Sequence, residues 1–183
     1  MKIAVIGAGN VGGGLARLWE QAGHDVTTIG REGGDASDAD AVLLSVPSDE
    51  IGNALGNVSG LQGKVLVDAT NLIKGERPQG FESLAEYTKS ESGAQVAKAF
   101  NTNFAALYDR IGEAKTKPSC LYCGDDGAKE ATAQLISDAG YEPVDAGGLE
   151  NARALEDFLK TNFAVYGARG APFFYRIGAP EEL

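Results

Sequence analysis

Gly7, Gly9 and Gly12 stand in the spacing G-x-G-x-x-G, between the apolar run Lys2 to Ile6 and a stretch where Leu15, Leu18, Trp19 and Ala22 recur at helical intervals. Strand, glycine turn, helix is the order that binding a diphosphate requires. The first glycine permits the tight turn, the second lets backbone approach a pyrophosphate, and the third lets helix pack on strand. Unpaired N–H groups at the helix start add partial positive charge. That local field matters, because 26 acidic against 16 basic side chains give the 183 residues a net charge of −10. Such a charge disfavours nucleic acid or an anionic lipid surface as a partner, so a phosphate-bearing ligand must be met at the glycine turn.

The end of the second strand selects between dinucleotides. NAD binders usually carry a carboxylate there to accept the ribose hydroxyls. This chain reads Thr28-Ile29-Gly30-Arg31: Gly30 leaves room, and the Arg31 guanidinium can fork onto a 2′-phosphate. NADP is therefore favoured over NAD, the competing reading being a solvated loop arginine beside Glu32.

In a sheet of this kind a ligand lies at the carboxyl ends of the strands, which places Val46, Pro47 and Ser48, Thr70 and Asn71, and Asn101 and Thr102 along the crevice. None of these is a general base. The single histidine, His24, falls at the opposite edge of the sheet as a surface loop residue, and Lys98 lies early in its strand in a structural place. Cys120 and Cys123 form a CxxC, yet on a strand residues three apart point to opposite faces, which argues against a disulfide. Zinc would need further ligands that one histidine cannot supply. Reduction of a carbonyl needs a proton donor beside it. Its absence points to an acceptor that takes a bare hydride, as a flavin or deazaflavin ring does, with no catalytic side chain and no metal.

Around these residues the chain alternates strands with helical patterns. The strands are read at 2–6, 24–30, 41–47, 64–71, 95–101, 119–124 and 141–147, and the most legible later helix at 128–139. Uniformly apolar strands suit a sheet covered on both faces. The expected fold is α/β: a single Rossmann-like, doubly wound, mainly parallel sheet. Only nine residues separate Arg31 from Ala41, so the helix and edge strand that usually follow the second strand should be missing. Residues 1–183 read as one nucleotide-binding domain with a C-terminal helical extension over about 149–183. In that extension Leu155, Leu159, Phe163 and Tyr166 form one stripe, Phe158 and Val165 lie off it, and three adjacent aromatics follow in 172–178. Apolar groups on more than one face predict a homodimer through this helix, the competing reading being burial against the chain's own sheet. No apolar run reaches the ~18 residues of a membrane span, and the start of the chain does not read as a signal peptide, so the expectation is a cytoplasmic protein.

Several blocks together resemble the deazaflavin-dependent NADP reductases (NADPH:coenzyme factor 420 oxidoreductases) and their bacterial dinucleotide-binding relatives. They are IGAGNVGGGLA at 6–16, GHDV and GR within 23–31, SVP at 45–47, KAFNT at 98–102, CGDD at 123–126 and PVDAGGLENARALE at 143–156. The resemblance implies that Ala8, Gly9, Asn10 and Val11 hold the diphosphate and that Gly30 with Arg31 holds the 2′-phosphate of NADP(H). It implies that Pro47 and the Asn101-Thr102 region neighbour the nicotinamide, with the deazaflavin (coenzyme factor 420) as co-substrate and no side-chain acid or base. KAFNT is also similar to the reductase domain of membrane metalloreductases, which use a flavin. The chain departs from the family pattern in the missing helix and edge strand and in Glu32, where a second basic residue is frequent. Lys74 and Arg77 are read either as receivers of an anionic deazaflavin tail or as solvated loop charges. The function expected is hydride transfer between NADP(H) and a deazaflavin or flavin-type small-molecule acceptor. The alternative is a non-catalytic dinucleotide-binding redox sensor or partner protein.

Overall fold

Along the first strand, apolar side chains face opposite ways in turn: Ile3 and Val5 enter one core, Ala4 and Ile6 the other. The same alternation in the neighbouring strands demands a helical layer on each face. The computed structural model, which describes residues 1–182, meets that demand with the order β1 (Lys2–Ile6), α1 (Asn10–Gln21), β2 (Asp25–Ile29), β3 (Gly34–Asp35), β4 (Ala41–Leu44), α2 (Ile51–Gly56), β5 (Val58–Ser59), β6 (Val65–Asp68), α3 (Leu84–Ser92), β7 (Gln95–Ala99), β8 (Ser119–Gly124), α4 (Asp126–Asp138), β9 (Glu142–Asp145) and α5 (Ala152–Arg169). Leu15, Ala16 and Trp19 of α1 and Leu135 and Ile136 of α4 pack on one face. Ile51 and Leu55 of α2, Leu84 and Ala85 of α3, and Ala152 and Leu155 of α5 pack on the other.

The main sheet has seven strands in the order β2-β1-β4-β6-β7-β8-β9. All neighbours are parallel except β7 and β8. The sheet is doubly wound from β1, and its switch point lies between β1 and β4. As expected, no helix and no further strand of this sheet fit between β2 and β4. Instead β3 pairs with β5 in a separate two-residue ladder, Gly34 against Val58 and Asp35 against Ser59. β2 is thus an edge, and its Thr27 and Thr28 are exposed.

The antiparallel strand has a local cause. Between β7 and β8 the connection holds only the 3-10 segment Ala105–Glu113, whose Tyr108 and Ile111 sink into the α1 side of the core. β7 then reaches only the Tyr122–Gly124 half of β8. The open half is met by the C-terminal segment: Ser119 N donates to Tyr175 O over 2.9 Å, and Ile177 N donates to Ser119 Oγ over 2.9 Å. This docking changes the expected apolar surface. Phe173, Phe174 and Tyr175 are half-buried against the chain's own body, with the Tyr175 ring 5.9 Å from Phe158 and the Phe173 ring 5.2 Å from Phe104. What remains exposed of that surface is the far end of α5, at Phe163, Val165 and Tyr166, together with Ile177 in the docked segment.

Cys120 and Cys123 fall in the two opposite cores and are free, buried thiols. Burial pushes both thiols up to about 12, so neither is a thiolate at neutral pH.

Candidate dinucleotide groove

The three motif glycines meet different surroundings. Gly7 has φ +93°, and a Cβ there would lie 2.6 Å from the carbonyl oxygen of Ser45. At Gly12 a Cβ would run into Gly7 O and Ser45 Oγ. The fold itself therefore demands the first and third glycines. At Gly9 no heavy atom lies within 4 Å of such a Cβ, so this glycine leaves open space rather than relieving contact. Gly9 is also the N-cap of α1, with no side-chain cap and no acidic residue in the first turn. Ala8, Gly9 and Asn10 are exposed there and Val11 is half-buried. An uncapped helix start with open space over it fits a diphosphate, whose oxygens would accept from those N–H groups.

Ser45, just past β4, donates its Oγ to Gly7 O over 2.7 Å and so holds the turn against the neighbouring strand. It was not among the expected site residues. Its one signal in the sequence is its place before Val46 and Pro47.

Two cavities meet at Ser45, Val46 and Pro47. One, of about 300 Å³, is lined by Gly7, Ala8, Gly9, Gly30 and Arg31 together with Glu50, Asn53, Ala54 and Asn57. The other, of about 440 Å³, is lined by Val11, Ser48, Asp49, Ala69, Thr70, Asn71, Ile73 and Lys74. Together they make one groove along the carboxyl ends of β2, β1, β4 and β6, centred on the glycine turn. Arg31 is exposed at its first end, and among the described residues no side chain or carbonyl engages the guanidinium. A polar row of Asn53 in α2 with Glu50 and Asn57 at its two caps is not among the residues expected from the sequence. Asn57 Nδ2 donates to Asn53 Oδ1 over 3.2 Å and Asn53 Nδ2 to Glu50 Oε2 over 3.0 Å, a spacing of three and four residues that marked a helix face but not which way it pointed.

The second end contains two titratable side chains among the described residues, Asp49 and Lys74. Both are exposed, and neither is held by a hydrogen bond or ion pair. A general acid has to be held within hydrogen-bond reach of the atom it serves. Arg77, paired in sequence reasoning with Lys74 as a possible anion receiver, is instead bonded to Glu156 Oε2 over 3.2 Å.

Asn101 and Thr102 do not line either cavity, which corrects the placement read from the sequence. Phe100 at the end of β7 has φ +61°, a strained conformation for a phenylalanine, and it turns the chain inward. Asn101 is then only 3% exposed, and its Nδ2 donates to Asn71 Oδ1 over 3.2 Å while its carbonyl accepts from Asn71 Nδ2 over 2.8 Å. It supports Asn71 from behind. Thr102 is buried too, its Oγ1 2.6 Å from the Tyr175 hydroxyl. His24 is not simply solvated either: its Nε2 lies 2.9 Å from Asp138, on the far side of the sheet from the groove.

A doubly wound sheet with an open, uncapped glycine turn at its switch point defines a Rossmann-type dinucleotide-binding protein. No family model matches the chain. The F420-dependent NADP reductase of Methanothermobacter thermautotrophicus is 30% identical over 199 aligned positions, covering 85% of this chain and 85% of that protein. The metalloreductase STEAP3 of Rattus norvegicus is 32% identical over 122 positions, 66% of this chain, which spans about a quarter (25%) of that protein's length. Among solved structures, one from Arthrobacter sp. FB24, assigned provisionally as an F420-dependent NADP reductase, superimposes with a TM-score of 0.82 at 26% identity, covering 98% of this chain and 100% of that one. The chain belongs to the family of the F420-dependent NADP reductases, which are NAD(P)-dependent oxidoreductases. No helix among the described residues is long and apolar enough to cross a membrane.

Proposed function

We propose that this protein moves a hydride between NADP(H) and a deazaflavin of the coenzyme factor 420 type, free flavin being a poorer acceptor. The observation that carries the reading is the continuous groove. It has an unpaired arginine at one end, an open helix N-terminus at its centre, and at the other end a cavity without a held acid or base. The names of the methanogen relatives, which cover most of the chain, support the same pair of substrates.

In this reading Gly7, Ala8, Gly9, Asn10, Val11 and Gly12 receive the diphosphate, through backbone N–H groups that need no positive side chain. Gly30 leaves room for the ribose, and Arg31 pairs with the 2′-phosphate. Val46, Pro47 and Ser48 form the wall where the two halves of the groove meet, beside the nicotinamide. Asn71 presents its amide to the ring's neighbourhood, oriented by Asn101, and Thr102 anchors the same turn from beneath. NADPH supplies a hydride, a proton with its electron pair, and the deazaflavin accepts it together with one proton from water. The protein's share is to align the two rings and keep bulk water from between them. Lys74 offers its unpaired ammonium to an anionic tail on the acceptor.

The chain acts as one nucleotide-binding domain with its C-terminal helical extension from about residue 149, located in the cytoplasm. It pairs with a second copy through the exposed end of α5, where Phe163 is 48% and Tyr166 42% exposed. One patch on each of two copies makes a self-complementary, two-fold contact.

Mixing purified protein with NADPH and a deazaflavin tests the activity. Oxidation of NADPH with matching reduction of the deazaflavin is expected, with much slower oxidation by free flavin. Tight binding of NADPH with no redox change in either acceptor would sink the reading and leave a dinucleotide sensor.

A further inference from the structure

Behind the second cavity, four charged side chains from four parts of the chain converge. Asp68 ends β6, Lys98 lies in β7, Glu156 in α5, and Arg77 in the long connection from β6 to α3. The side chains of Asp68 and Lys98 are fully buried, that of Glu156 is 2% exposed and that of Arg77 16%. Lys98 Nζ donates to Thr70 O over 2.6 Å and to Asp68 Oδ1 over 3.2 Å, and stands 3.4 Å from Glu156 Oε1. Glu156 Oε1 accepts from Leu84 N over 2.7 Å, and its Oε2 accepts from Arg77 over 3.2 Å. Two carboxylates and two cations cancel. Charges this deep are tolerated only when paired, so each contact fixes the backbone that carries it; Arg77 Nε, buried without a hydrogen-bond partner, leaves the pair with Glu156 as that side chain's one hold.

The backbone so fixed is the wall of the second cavity. Thr70, Asn71, Ile73 and Lys74 line that cavity, in a stretch between β6 and α3 that forms neither helix nor strand. Lys98 holds its start at Thr70, and Glu156 holds it at Arg77, three residues past Lys74. The same helix grips the facing segment. Asn101 Nδ2 donates to Leu155 O over 3.0 Å, and Asn162 Nδ2 donates to Thr102 O over 2.7 Å. No residue of α5 lines either cavity. We infer that α5 is the positioning element of the acceptor end, with Glu156 gripping Arg77 as the latch that sets where the 70–77 wall stands. This rests on the reading that the second cavity takes the hydride acceptor.

Arg77→Ala opens the latch and leaves Glu156 its bonds to Leu84 and its contact with Lys98; the buried carboxylate charge it uncovers lowers stability, so a thermal melt accompanies the assay, which is run below the variant's transition. The KM for deazaflavin should rise about tenfold or more, because the removed contact is a charge-assisted one. The affinity for NADPH and the kcat should stay within about twofold, since the diphosphate turn and the Arg31 end are untouched and Asn71, beside the nicotinamide in the proposed reading, keeps both its bonds to Asn101. Arg77→Lys should recover part of the KM. Hydrogen exchange of amides 71–80 should accelerate in Arg77→Ala, while that of β1 and α1 is unchanged. Glu156→Gln should act in the same direction, and the double variant should add little to either single one.

An unchanged acceptor KM in Arg77→Ala, with the unaltered protein active, overturns the inference. So does an equal loss of NADPH and acceptor affinity, which would mean general loosening. No turnover by the unaltered protein overturns the functional reading instead, and exchange over 71–80 then decides the latch: unaltered rates reject it.

Discussion

Ser45 Oγ donates to the carbonyl oxygen of Gly7 across 2.7 Å, joining the end of β4 to the glycine turn that follows β1. The bond crosses the switch point of the sheet, the place where the two halves of the groove meet. It occupies a carbonyl that the tight turn would otherwise leave facing α1, and it puts Ser45 Oγ where a methyl on Gly12 would strike it. The turn, the neighbouring strand and the first turn of α1 are thus one packed unit. It is open above Gly9, where a Cβ would meet no heavy atom within 4 Å.

That asymmetry separates two substitutions that look alike in sequence. Gly9→Ala places a methyl in open space, so the protein should fold with an unchanged melting temperature. In the proposed reading that space receives the diphosphate, so affinity for NADPH should fall about tenfold or more, which is ~1.4 kcal/mol. Gly12→Ala forces a methyl against Gly7 O and Ser45 Oγ. Overpacking of this kind costs about 1–3 kcal/mol, so its melting temperature should drop clearly. Thermal melts and nucleotide titrations on both variants check the pair, and a large loss of stability in Gly9→Ala would contradict the open-space account.

Each feature is legible in the sequence as far as local chemistry alone determines it. The glycine turn, the Val46-Pro47 wall and the trimmed edge after Arg31 were legible because local spacing and chain length alone constrain them. Opposite faces for Cys120 and Cys123 followed from the period of a strand. The inward turn at Phe100 was not legible: a positive φ at phenylalanine contradicts local preference and is imposed by packing against Trp19 and Tyr141. Asn101 and Thr102 therefore sit behind the groove rather than in it. The row Glu50, Asn53 and Asn57 was missed because helical spacing gives a face without giving its direction. Arg77 found Glu156 across 79 positions of sequence, a pairing no local pattern encodes.

The buried thiols and phenols give a pH prediction. Burial raises Cys120 and Cys123 from an ordinary 9.0 to about 12, and it raises Tyr108, Tyr141 and Tyr175 above the usual phenol range as well. Above pH 9 the unfolded chain therefore releases protons that the folded chain keeps. The stability these groups contribute is fully present below about pH 9 and is lost as pH climbs toward 12, so denaturant midpoints should fall across that window. A thiol reagent at pH 8 should find no reactive cysteine in the folded protein and two after unfolding. Rapid labelling of the folded form would show that the thiols are not sealed.

Phe163, Val165 and Tyr166 leave the end of α5 apolar and exposed, and pairing with a second copy is the proposed cover. Light scattering at micromolar concentration should give twice the 19.0 kDa chain mass. Phe163→Ser should shift the particle toward the single-chain mass without lowering the melting temperature; Tyr166, whose ring stacks 5.8 Å from Phe104 of the chain's own body, is left in place. A single-chain mass for the unaltered protein rejects the dimer.

In the proposed reading Arg31 carries the choice of cofactor. It has no partner among the described residues, and it lines the first cavity next to Gly30, where a Cβ would meet no atom within 4 Å. If its guanidinium pairs with a 2′-phosphate, Arg31→Ala removes charge-assisted hydrogen bonds worth about 1.5–3 kcal/mol, or roughly 10- to 150-fold in NADPH affinity. Exposure of the trimmed edge screens the pair, so the lower part of that range is expected and added salt should shrink the difference. NADH lacks the 2′-phosphate and makes no contact that depends on the arginine, so its affinity should barely change. Glu50 lines the same cavity, and Glu50→Gln should strengthen NADPH binding by removing a like charge from beside the phosphate, again without effect on NADH. Titrating both nucleotides against the three proteins decides the matter: equal losses for NADPH and NADH in Arg31→Ala, or no loss for either, would make Arg31 a solvated loop residue and remove the basis for NADP preference.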